Sequence, residues 1–380
     1  MNDTKLTDFA SSKNAAKTVV FSGMRPTGRL HLGNYFGALK NWIELQEKYS
    51  CYFCVVDWHM LTTGYADTSK LQENIREMVL DWLAAGLDPK KCVIFKQSDV
   101  SEHAELALLL GMVTNLSWLE NNPTWKDQLQ ELAMTKASKA EEVIGTAFVR
   151  KEESEILVAE RMVSELAPRT FGFLGYPVLQ AADIFLYNAN IVPVGHDQLP
   201  HIELAREIIR QFNRIFGKVF DEPQALLTPT PKIPGTDGRK MSKSYENTIQ
   251  MLETEDSLKR KIQSLYTDPT RIKATDPGHP EPCSDNPPGC AAFSLHKIYA
   301  PEDFVKQRKS DCIAGKIGCV ACKKDLFAEM KEPFAQFKEK REQLSSDPKT
   351  VSEILESGKK KAKTAAALTM DRVRRAMNLV

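Results

Sequence analysis

The stretch of residues 20–34, Val-Phe-Ser-Gly-Met-Arg-Pro-Thr-Gly-Arg-Leu-His-Leu-Gly-Asn, decides the fold of this chain. An apolar run of strand type ends at Ser22-Gly23, a turn follows through residues 26–28, and apolar residues at helical spacing come next. The pattern predicts a strand, a tight turn and a helix N-terminus, whose amides attract anions. His31 and Asn34 are expected to point the same way on the first helical turn, although both residue types are also common caps.

A second stretch, Lys240-Met241-Ser242-Lys243-Ser244, follows the turn-rich residues 234–239. Two lysines and two hydroxyls on a Gly-rich loop suit a triphosphate on which charge builds up as pyrophosphate departs. A solvated basic loop is the alternative for a single lysine pair. The occurrence of both stretches, in this order and about two hundred residues apart, favours the triphosphate.

Together the two stretches resemble the signatures of the class I aminoacyl-tRNA synthetases, Pro-[Ser/Thr]-Gly with His-x-Gly-His/Asn and KMSKS. The resemblance implies an α/β fold with a Rossmann-type doubly wound parallel sheet, and the use of ATP and Mg2+. It implies catalytic roles for His31, Asn34, Lys240, Ser242 and Lys243. The ATP contacts that it implies in these stretches involve Arg25, Pro26, Thr27, Gly33, Asn34, Lys240, Met241, Ser242, Lys243 and Ser244.

Length and composition are those of a soluble globular protein of about two domains. The chain has 380 residues, of which 42% are hydrophobic and 27% charged, and its net charge is +1. So small a net charge means that any RNA contact depends on local patches. We expect a cytoplasmic protein without a membrane span, because no apolar run reaches spanning length. In that reducing compartment, eight cysteines favour a metal or cluster site over disulfides.

Alternating apolar runs and amphipathic patterns predict the parallel sheet independently of the resemblance. We expect a flexible tail at 1–16, an α/β domain at 17–250 and an α-helical domain at 251–380. The resemblance implies that the first domain is catalytic and that the second binds the tRNA anticodon. A Lys- and Glu-rich helical insertion is predicted at about 134–169. The apolar run 51–59 is predicted to be a buried strand, with Cys51 and Cys54 packing on opposite faces. Ser69-x-x-Gln72 is predicted to be a capping box.

The stretch 173–187, Phe-Leu-Gly-Tyr-Pro-Val-Leu-Gln-Ala-Ala-Asp-Ile-Phe-Leu-Tyr, is predicted to be an apolar helix with a carboxylate, Asp183, inside it. Such a carboxylate is costly unless something donates to it, and the donor can be a structural neighbour or a ligand. The stretch closely resembles the tryptophanyl-tRNA synthetases, in which the corresponding Asp accepts the indole N–H. The resemblance implies that Tyr176, Gln180, Asp183 and Gln198 bind tryptophan.

The run Gly195-His196-Asp197-Gln198 follows a predicted strand at 190–194. In the family that the chain resembles, a Gly-x-Asp-Gln turn holds the ATP ribose and reaches the amino acid. The resemblance therefore implies ATP contacts by Gly195, His196 and Asp197, although the second position is usually Glu. It also implies that Ile233 lies against the adenine.

Four cysteines, Cys290, Cys312, Cys319 and Cys322, are spaced C-x21-C-x6-C-x2-C in the predicted helical domain. Tetrahedral Zn2+ and a 4Fe-4S cluster both suit four cysteines, and spacing does not choose between them. A subset of tryptophanyl-tRNA synthetases has a closely similar C-x22-C-x6-C-x2-C array that binds a 4Fe-4S cluster, and this chain resembles that subset. Cys283 is an alternative first ligand.

The resemblance implies a tryptophan-tRNA ligase that forms tryptophanyl-adenylate from L-tryptophan and ATP and transfers the tryptophanyl group to tRNA(Trp), working as a homodimer. Two alternatives stay open at this point. One is a tyrosyl-tRNA synthetase, because Asp183 can also accept from a phenol. The other is a non-catalytic RNA-binding relative built on the same scaffold.

Overall fold

The computed structural model describes residues 18–123, 170–227, 233–284 and 286–380. The predicted tail at 1–16 and the predicted insertion at about 134–169 lie outside the described residues.

A five-stranded parallel sheet forms the centre of the described structure. Its strand order is β3-β2-β1-β4-β5, and every neighbouring pair is parallel. The chain first builds outward from β1 to β3 and then returns to β4 on the other side of β1, so the sheet is doubly wound, as predicted. The switch point between β1 and β4 is where such sheets bind ligands. The strands are β1 Val19–Met24, β2 Ser50–Val55, β3 Cys92–Lys96, β4 Ile191–Val194 and β5 Gln224–Leu227.

Helices surround the sheet and make up most of the C-terminal part. The first, α1, covers residues 32–45 and consists of an α turn Leu32–Asn34, a π turn Tyr35–Leu39 and an α segment Lys40–Leu45. The helices that follow are α2 Asp57–Gly64, α3 Leu71–Ala85, α4 Glu102–Gly111, α5 Leu116–Glu120, α6 Phe171–Leu186, α7 Leu199–Phe216, α8 Glu255–Gln263, α9 Ala291–Tyr299, α10 Glu302–Ile313, α11 Cys319–Ser345 and α12 Thr350–Ala376.

The two faces of the sheet are packed in two separate hydrophobic cores. Cys51 belongs to one core and Cys54 to the other, and both are buried. Residues three apart on a strand face opposite sides, so the packing role predicted for these cysteines is confirmed. Val20 and Phe21 of β1 divide between the two cores in the same way.

The predicted strand over 51–59 is wrong at its C-terminal end. Strand β2 ends at Val55, and Asp57 begins helix α2. The Asp57 carboxylate accepts hydrogen bonds from Ser98 N and Ser98 Oγ, at 3.0 and 2.5 Å, in the segment that follows β3. The chain therefore turns at the C-terminal end of β2, because a polar group there finds donors at the neighbouring strand's end.

The predicted capping box at Ser69 is also wrong. The Ser69 hydroxyl donates to Asp67 Oδ1 at 2.7 Å, and helix α3 starts after Lys70, whose side chain makes no cap. A local turn competes successfully for the serine hydroxyl. The same helix ends at Ala85, and Gly86 caps it with a φ of 124° that favours glycine.

The C-terminal helices pack directly on the sheet. Leu326 and Met330 of α11 belong to one core of the sheet, and Ala362 and Met370 of α12 belong to the other. Gly358 brings α12 against the backbone of the edge strand, since a Cβ there would lie 1.8 Å from Ile94 O. The described helical region therefore covers the edge of the sheet as well as following it in sequence.

Among the helices of the described ranges, none combines the length and apolar character required to cross a bilayer.

Candidate active site

The first signature forms the connection between β1 and α1, at the switch point of the sheet. Asn34 Oδ1 accepts from the backbone N of His31 at 3.2 Å, so Asn34 fixes the start of the helix. The His31 ring is buried, and its Nδ1 makes no hydrogen bond to the described residues. Burial, reinforced by the charge of Lys243, lowers the pKa of His31 to about 4. The ring is therefore neutral near pH 7.

The second signature packs against the first. Lys243 Nζ donates to Thr27 O at 2.6 Å, and Leu32 N donates to Ile249 O at 2.9 Å. A Cβ at Gly33 would lie 3.7 Å from Met241 Cβ, so this glycine faces the loop at close range. Two segments about two hundred residues apart in the sequence are therefore in direct contact.

Asn247 holds the second signature in shape, and the sequence analysis missed it. Its Oδ1 accepts from Ser242 N at 2.8 Å, and its Nδ2 donates to Lys240 O at 3.1 Å. The Lys240 side chain is exposed. The Ser244 side chain lies outside what the structure describes. The loop is therefore tied by its backbone while the lysine side chain faces outward.

A cavity of about 340 Å³ opens beside the first signature, between the C-terminal ends of β1 and β4 and helices α1, α2 and α6. Apolar walls with a few polar groups are typical of small-molecule sites. Six of the residues predicted to bind ATP or tryptophan line it: Arg25, Tyr176, Gln180, Asp183, Gly195 and Gln198. The other lining residues are Phe21, Ser22, Gly23, Gly37, Ala38, Asn41, Trp42, Val56, His59, Thr62, Ile184, Val192, Pro193, Val194 and His201.

Asp183 is the buried carboxylate of this cavity. Oδ2 is 2.9 Å from His59 Nε2, Oδ1 is 2.7 Å from His103 Nδ1, and Gln97 Nε2 donates to Oδ1 and Oδ2 at 2.8 and 3.0 Å. Burial alone would raise its pKa, but the charge and hydrogen bonds of the two histidines lower the pKa to about 2. The structural donors that a buried carboxylate requires are thus present, and the group is an ionised, acceptor-only floor of the cavity.

Tyr176 is held by His201, to which the sequence analysis gave no role. The two side chains meet at 2.8 Å between Tyr176 Oη and His201 Nε2, and Asn122 Nδ2 lies 3.2 Å from His201 Nδ1. Burial lowers the pKa of His201 to about 4, so its ring is neutral near pH 7. This second polar cluster forms the wall of the cavity next to the end of β4.

The remaining predicted ATP contacts occupy the rim of the same region. His196 and Asp197 are exposed on the 3-10 turn after β4, where Gln198 Nε2 donates to Asp197 Oδ2 at 3.1 Å. Ile233 is buried, and its carbonyl accepts from Met241 N at 3.4 Å. Arg25 is turned toward α2, where it donates to Thr63 Oγ1 at 2.5 Å. Pro26 is buried in the turn.

The four predicted cysteine ligands lie together, away from this cavity. Cys290, Cys312, Cys319 and Cys322 all line one small cavity of about 20 Å³. Cys283, the alternative first ligand, is not among the lining residues. Over the described ranges, however, no three His, Cys, Asp or Glu side chains converge as they would on a single metal ion.

Two arginines lie on the wall of the cysteine cavity. Arg271 Nη1 is 3.8 Å from Cys312 Sγ, and Arg308 Nη2 donates to Asp325 Oδ2 at 2.7 Å. The Nε atoms of both arginines are buried and have no hydrogen-bond partner in the described part of the chain. A cavity lined by thiols and two guanidinium groups suits an anionic occupant.

Several residues of the two clusters and of the second signature's loop were missed from sequence: His59, Gln97, His103, His201 and Asn247. The only local signal was their chemistry, since His103 and His201 are polar residues on helices rich in apolar residues. Their partners come from elements far away in sequence. Local pattern therefore could not pair them with Asp183 or Tyr176.

Comparison with known proteins finds a family profile and relatives that agree with one another. A family profile described as "tRNA synthetases class I (W and Y)" matches residues 13–335. The tryptophan-tRNA ligase of Aquifex aeolicus is 46% identical over 401 residues, covering 95% of this chain and 99% of that protein. The tryptophan-tRNA ligase of Thermotoga maritima is 45% identical, covering 95% and 99%.

Solved structures agree with these relatives. Tryptophanyl-tRNA synthetase from Campylobacter jejuni, complexed with ADP and tryptophan, superposes with a TM-score of 0.75 and 31% identity, covering 95% of this chain and 100% of that one. A tyrosyl-tRNA synthetase from Archaeoglobus fulgidus, at 18% identity and a TM-score of 0.59, shares the fold. The chain therefore belongs to the class I tRNA synthetases of the W and Y family, and it is an aminoacyl-tRNA synthetase.

Proposed function

We propose that the chain is a tryptophan-tRNA ligase. The carboxylate of L-tryptophan attacks the α-phosphorus of ATP, forms tryptophanyl-adenylate and releases pyrophosphate. A hydroxyl of the terminal adenosine of tRNA(Trp) then takes the tryptophanyl group and releases AMP. The observation that carries the proposal is the ionised, buried Asp183 in a cavity beside the first signature. Full-length relatives of this specificity support it.

The first step needs no side chain as nucleophile, because the substrate carboxylate supplies one. The protein's part is to position the two substrates and to stabilise charge. Thr27, His31 and Asn34 hold the triphosphate from one side, and the lysines of the second signature hold it from the other. Lys243 now binds Thr27 O, so its ammonium is already at the turn. Mg2+ on the triphosphate neutralises further charge on the departing pyrophosphate.

The same proposal assigns the rest of the ATP site. Gly195 and Asp197 receive the ribose, and the His196 backbone lies beside them. Ile233 and Met241 pack against the adenine. Gly33 allows close approach at the helix start, and the remaining contacts come from Arg25, Pro26, Lys240, Ser242 and Ser244.

Asp183 accepts the indole N–H of tryptophan in this proposal. Indole is a donor-only group and an ionised carboxylate is an acceptor-only group, so the pair is complementary. Tyr176 and Gln180 line the same cavity from α6, and Gln198 reaches it from the turn after β4. A phenol also donates, so tyrosine is the substrate to compare.

We also propose that Cys290, Cys312, Cys319 and Cys322 hold a 4Fe-4S cluster. A cluster binds each cysteine through a different iron, whereas Zn2+ needs four sulfurs about 2.3 Å from one point. Among the described residues no three such side chains converge on one point, so the choice of the cluster rests on the resemblance of the cysteine spacing. The guanidinium groups on the cavity wall suit its negative charge. Iron and zinc analysis of anaerobically purified protein, with a Cys312→Ser variant beside it, tests this assignment.

The cluster would order the loop 276–289 in an anticodon-binding domain that begins near residue 251. We place the enzyme in the cytoplasm, where tRNA is charged. We further propose a homodimer. Exposed apolar residues on neighbouring elements support it: Leu108, Met112, Leu116 and Phe171. Sedimentation at several concentrations measures the assembly.

Pyrophosphate exchange with each amino acid separately tests the function. Exchange with tryptophan alone is expected, followed by charging of tRNA(Trp). Exchange with tyrosine would overturn the indole assignment, and no exchange with any amino acid would favour an RNA-binding relative. Asp183→Asn is expected to reduce discrimination between tryptophan and tyrosine. An Asp221→Asn variant, which changes an exposed carboxylate that pairs with Lys218, is the matched control.

A further inference from the structure

A buried imidazole lies behind the carboxylate of the amino-acid cavity. His103, on α4, has no exposed surface, whereas His59 lines the cavity itself. His103 Nδ1 is 2.7 Å from Asp183 Oδ1, and His103 Nε2 is 2.7 Å from Tyr187 Oη. The chain of contacts therefore runs from the cavity inward, through carboxylate and imidazole to phenol.

The chemistry of the carboxylate fixes the direction of its hydrogen bond to His103. The ionised carboxylate of Asp183 can only accept, so His103 Nδ1 must donate to it. Nε2 of the same ring lies 2.7 Å from the Tyr187 hydroxyl, which can donate a hydrogen bond or accept one. Both ring nitrogens therefore have a partner. The phenol thus helps to hold the imidazole in the orientation in which Nδ1 faces the carboxylate.

The two oxygens of Asp183 are held differently. Oδ1 takes its bond from the fully buried His103, while Oδ2 is bonded by His59, which a ligand in the cavity can reach. Gln97 bridges both oxygens. His103 consequently keeps the carboxylate oriented whether or not the cavity side is rearranged by a substrate.

We propose that His103 is a positioning residue for amino-acid selection, which, through Tyr187, keeps Asp183 ionised and aimed at the indole N–H. The proposal rests on the proposed function, since it needs Asp183 as the indole acceptor. His103 does not touch the substrate. It acts by fixing the charge and direction of the group that does.

The charge state of Asp183 depends on a small set of neighbours. Burial raises its pKa, and the charge and hydrogen bonds of His103 are the largest opposing effect, ahead of those of His59. Removal of His103 is therefore expected to raise the pKa of Asp183, because the effect of burial is then less opposed. The titratable groups that face Asp183 and its partners are His59 on α2, His103 on α4, Tyr187 at the end of α6, Cys54 and Tyr52 on β2, and Glu102 on α4.

The test uses an analogue that lacks the indole N–H. Pyrophosphate exchange is measured with tryptophan and with 3-benzothienylalanine, in which sulfur replaces the N–H. In the unaltered enzyme we expect a preference for tryptophan of about 10- to 100-fold in kcat/KM, the range for a hydrogen bond to a charged group. In His103→Phe that preference is expected to fall to about threefold or less.

Three further variants keep the test independent of folding. His103→Asn places an amide donor at the position of Nδ1, so it should retain most of the preference. Tyr187→Phe, which removes only the distal hydroxyl, should reduce the preference less than His103→Phe does. Gln46→Leu removes a buried side chain that bonds Gly86 O and Asp88 N elsewhere, so it should leave the preference unchanged.

The pH dependence gives a readout that a merely structural role would not change. Without His103, a larger share of Asp183 is protonated as the pH falls. The ratio of kcat/KM for tryptophan between unaltered enzyme and His103→Phe should therefore increase from pH about 8 to pH about 6. A constant ratio would overturn the proposal.

The outcomes distinguish failure of the proposed tryptophan site from failure of the His103 assignment. If the unaltered enzyme does not distinguish the two amino acids, Asp183 is not the indole acceptor and the proposed tryptophan site fails. If it does and His103→Phe retains the full preference, the His103 assignment alone fails. If His103→Phe does not fold, loss of preference in His103→Asn together with an unchanged Tyr187→Phe enzyme would overturn the assignment.

Discussion

A buried ion pair between helices α11 and α3, next to the first signature, gives a quantitative prediction. Arg341 of α11 donates through Nε to Asp81 Oδ1 at 2.5 Å, and Asp81 Oδ2 accepts from the backbone N of Leu30 at 2.7 Å. Leu30 directly precedes His31. Asp81 is 0% exposed and Arg341 only 6%. The perturbation is Arg341→Met, which keeps the length of the side chain and removes its charge.

The expected loss in the free energy of unfolding comes from the Asp81 carboxylate, which stays buried without its partner. Without the guanidinium, Asp81 keeps only the Leu30 amide as donor in a buried site, and removal of one partner of a buried pair costs about 3–5 kcal/mol. Glu77, the second acceptor of Arg341, still has Arg29 at 2.7 Å, so it adds little. We expect the free energy of unfolding of Arg341→Met to fall by that amount.

The matched control is the double variant Asp81→Asn/Arg341→Met. The asparagine oxygen still accepts from Leu30 N, and no buried charge remains. It should therefore lie within about 1–2 kcal/mol of the unaltered protein. Urea unfolding followed by far-UV circular dichroism measures all four proteins of the cycle. The Michaelis constant for ATP in pyrophosphate exchange reports on the turn beside His31.

The loss of stability in Arg341→Met should depend on pH. Burial raises the pKa of Asp81 even though Arg341 opposes it. In Arg341→Met the pKa of Asp81 rises further, and protonation in the folded state relieves the penalty at low pH. The stability deficit should therefore be smaller at pH about 5 than at pH about 7.5. A double variant as unstable as Arg341→Met, or a deficit below about 1 kcal/mol, would refute the reasoning.

Three other predictions follow from single groups. Lys243→Ala should lower kcat for pyrophosphate exchange about 10²- to 10³-fold while tryptophan affinity changes little, because the lysine acts on charge that develops in the transition state. Equal losses in kcat and affinity would contradict that role. Gly358→Ala should destabilise the fold by about 1–3 kcal/mol, because its Cβ would lie 1.8 Å from Ile94 O, whereas Gly111→Ala, which meets nothing within 4 Å, should not. Urea unfolding of both variants checks this pair, and equal stabilities would show that α12 can shift away from β3. Burial lowers the pKa of His201 to about 4 from 6.5, so the folded state resists its protonation. Stability should decline as the pH falls from about 6.5 to about 4, and His201→Gln should show a shallower decline in thermal melting over that window.

The local pattern was enough for the alternation of strands and helices. The strand at the start of the first stretch, the strand predicted at 190–194 and the helix predicted at 173–187 are all present. Cys51 and Cys54 are an example. Side chains alternate between the two faces of a strand, so their positions in the sequence were enough to assign them to opposite faces. Where local signals competed, as at Ser69, a nearby acceptor decided the outcome and the prediction failed.

The two signatures could be found in the sequence because each is contiguous. A glycine turn before a helix start and a Lys-Met-Ser-Lys-Ser loop each carry their chemistry within a few residues. Their contact through Lys243 and Thr27 could not be predicted from either stretch alone, because the fold brings the two together. The four cysteines are a similar case, because their spacing was visible in the sequence and their position around one cavity was not.

What the sequence by itself determined was the doubly wound sheet, the signatures and the presence of a buried carboxylate in α6. Only the tertiary structure decided which groups serve that carboxylate and where the C-terminal helices rest. His59, Gln97 and His103 come from three separate elements, and Arg341 reaches Asp81 across 260 positions. The reason is physical: a buried charge must find donors, but any element that the fold brings near can supply them.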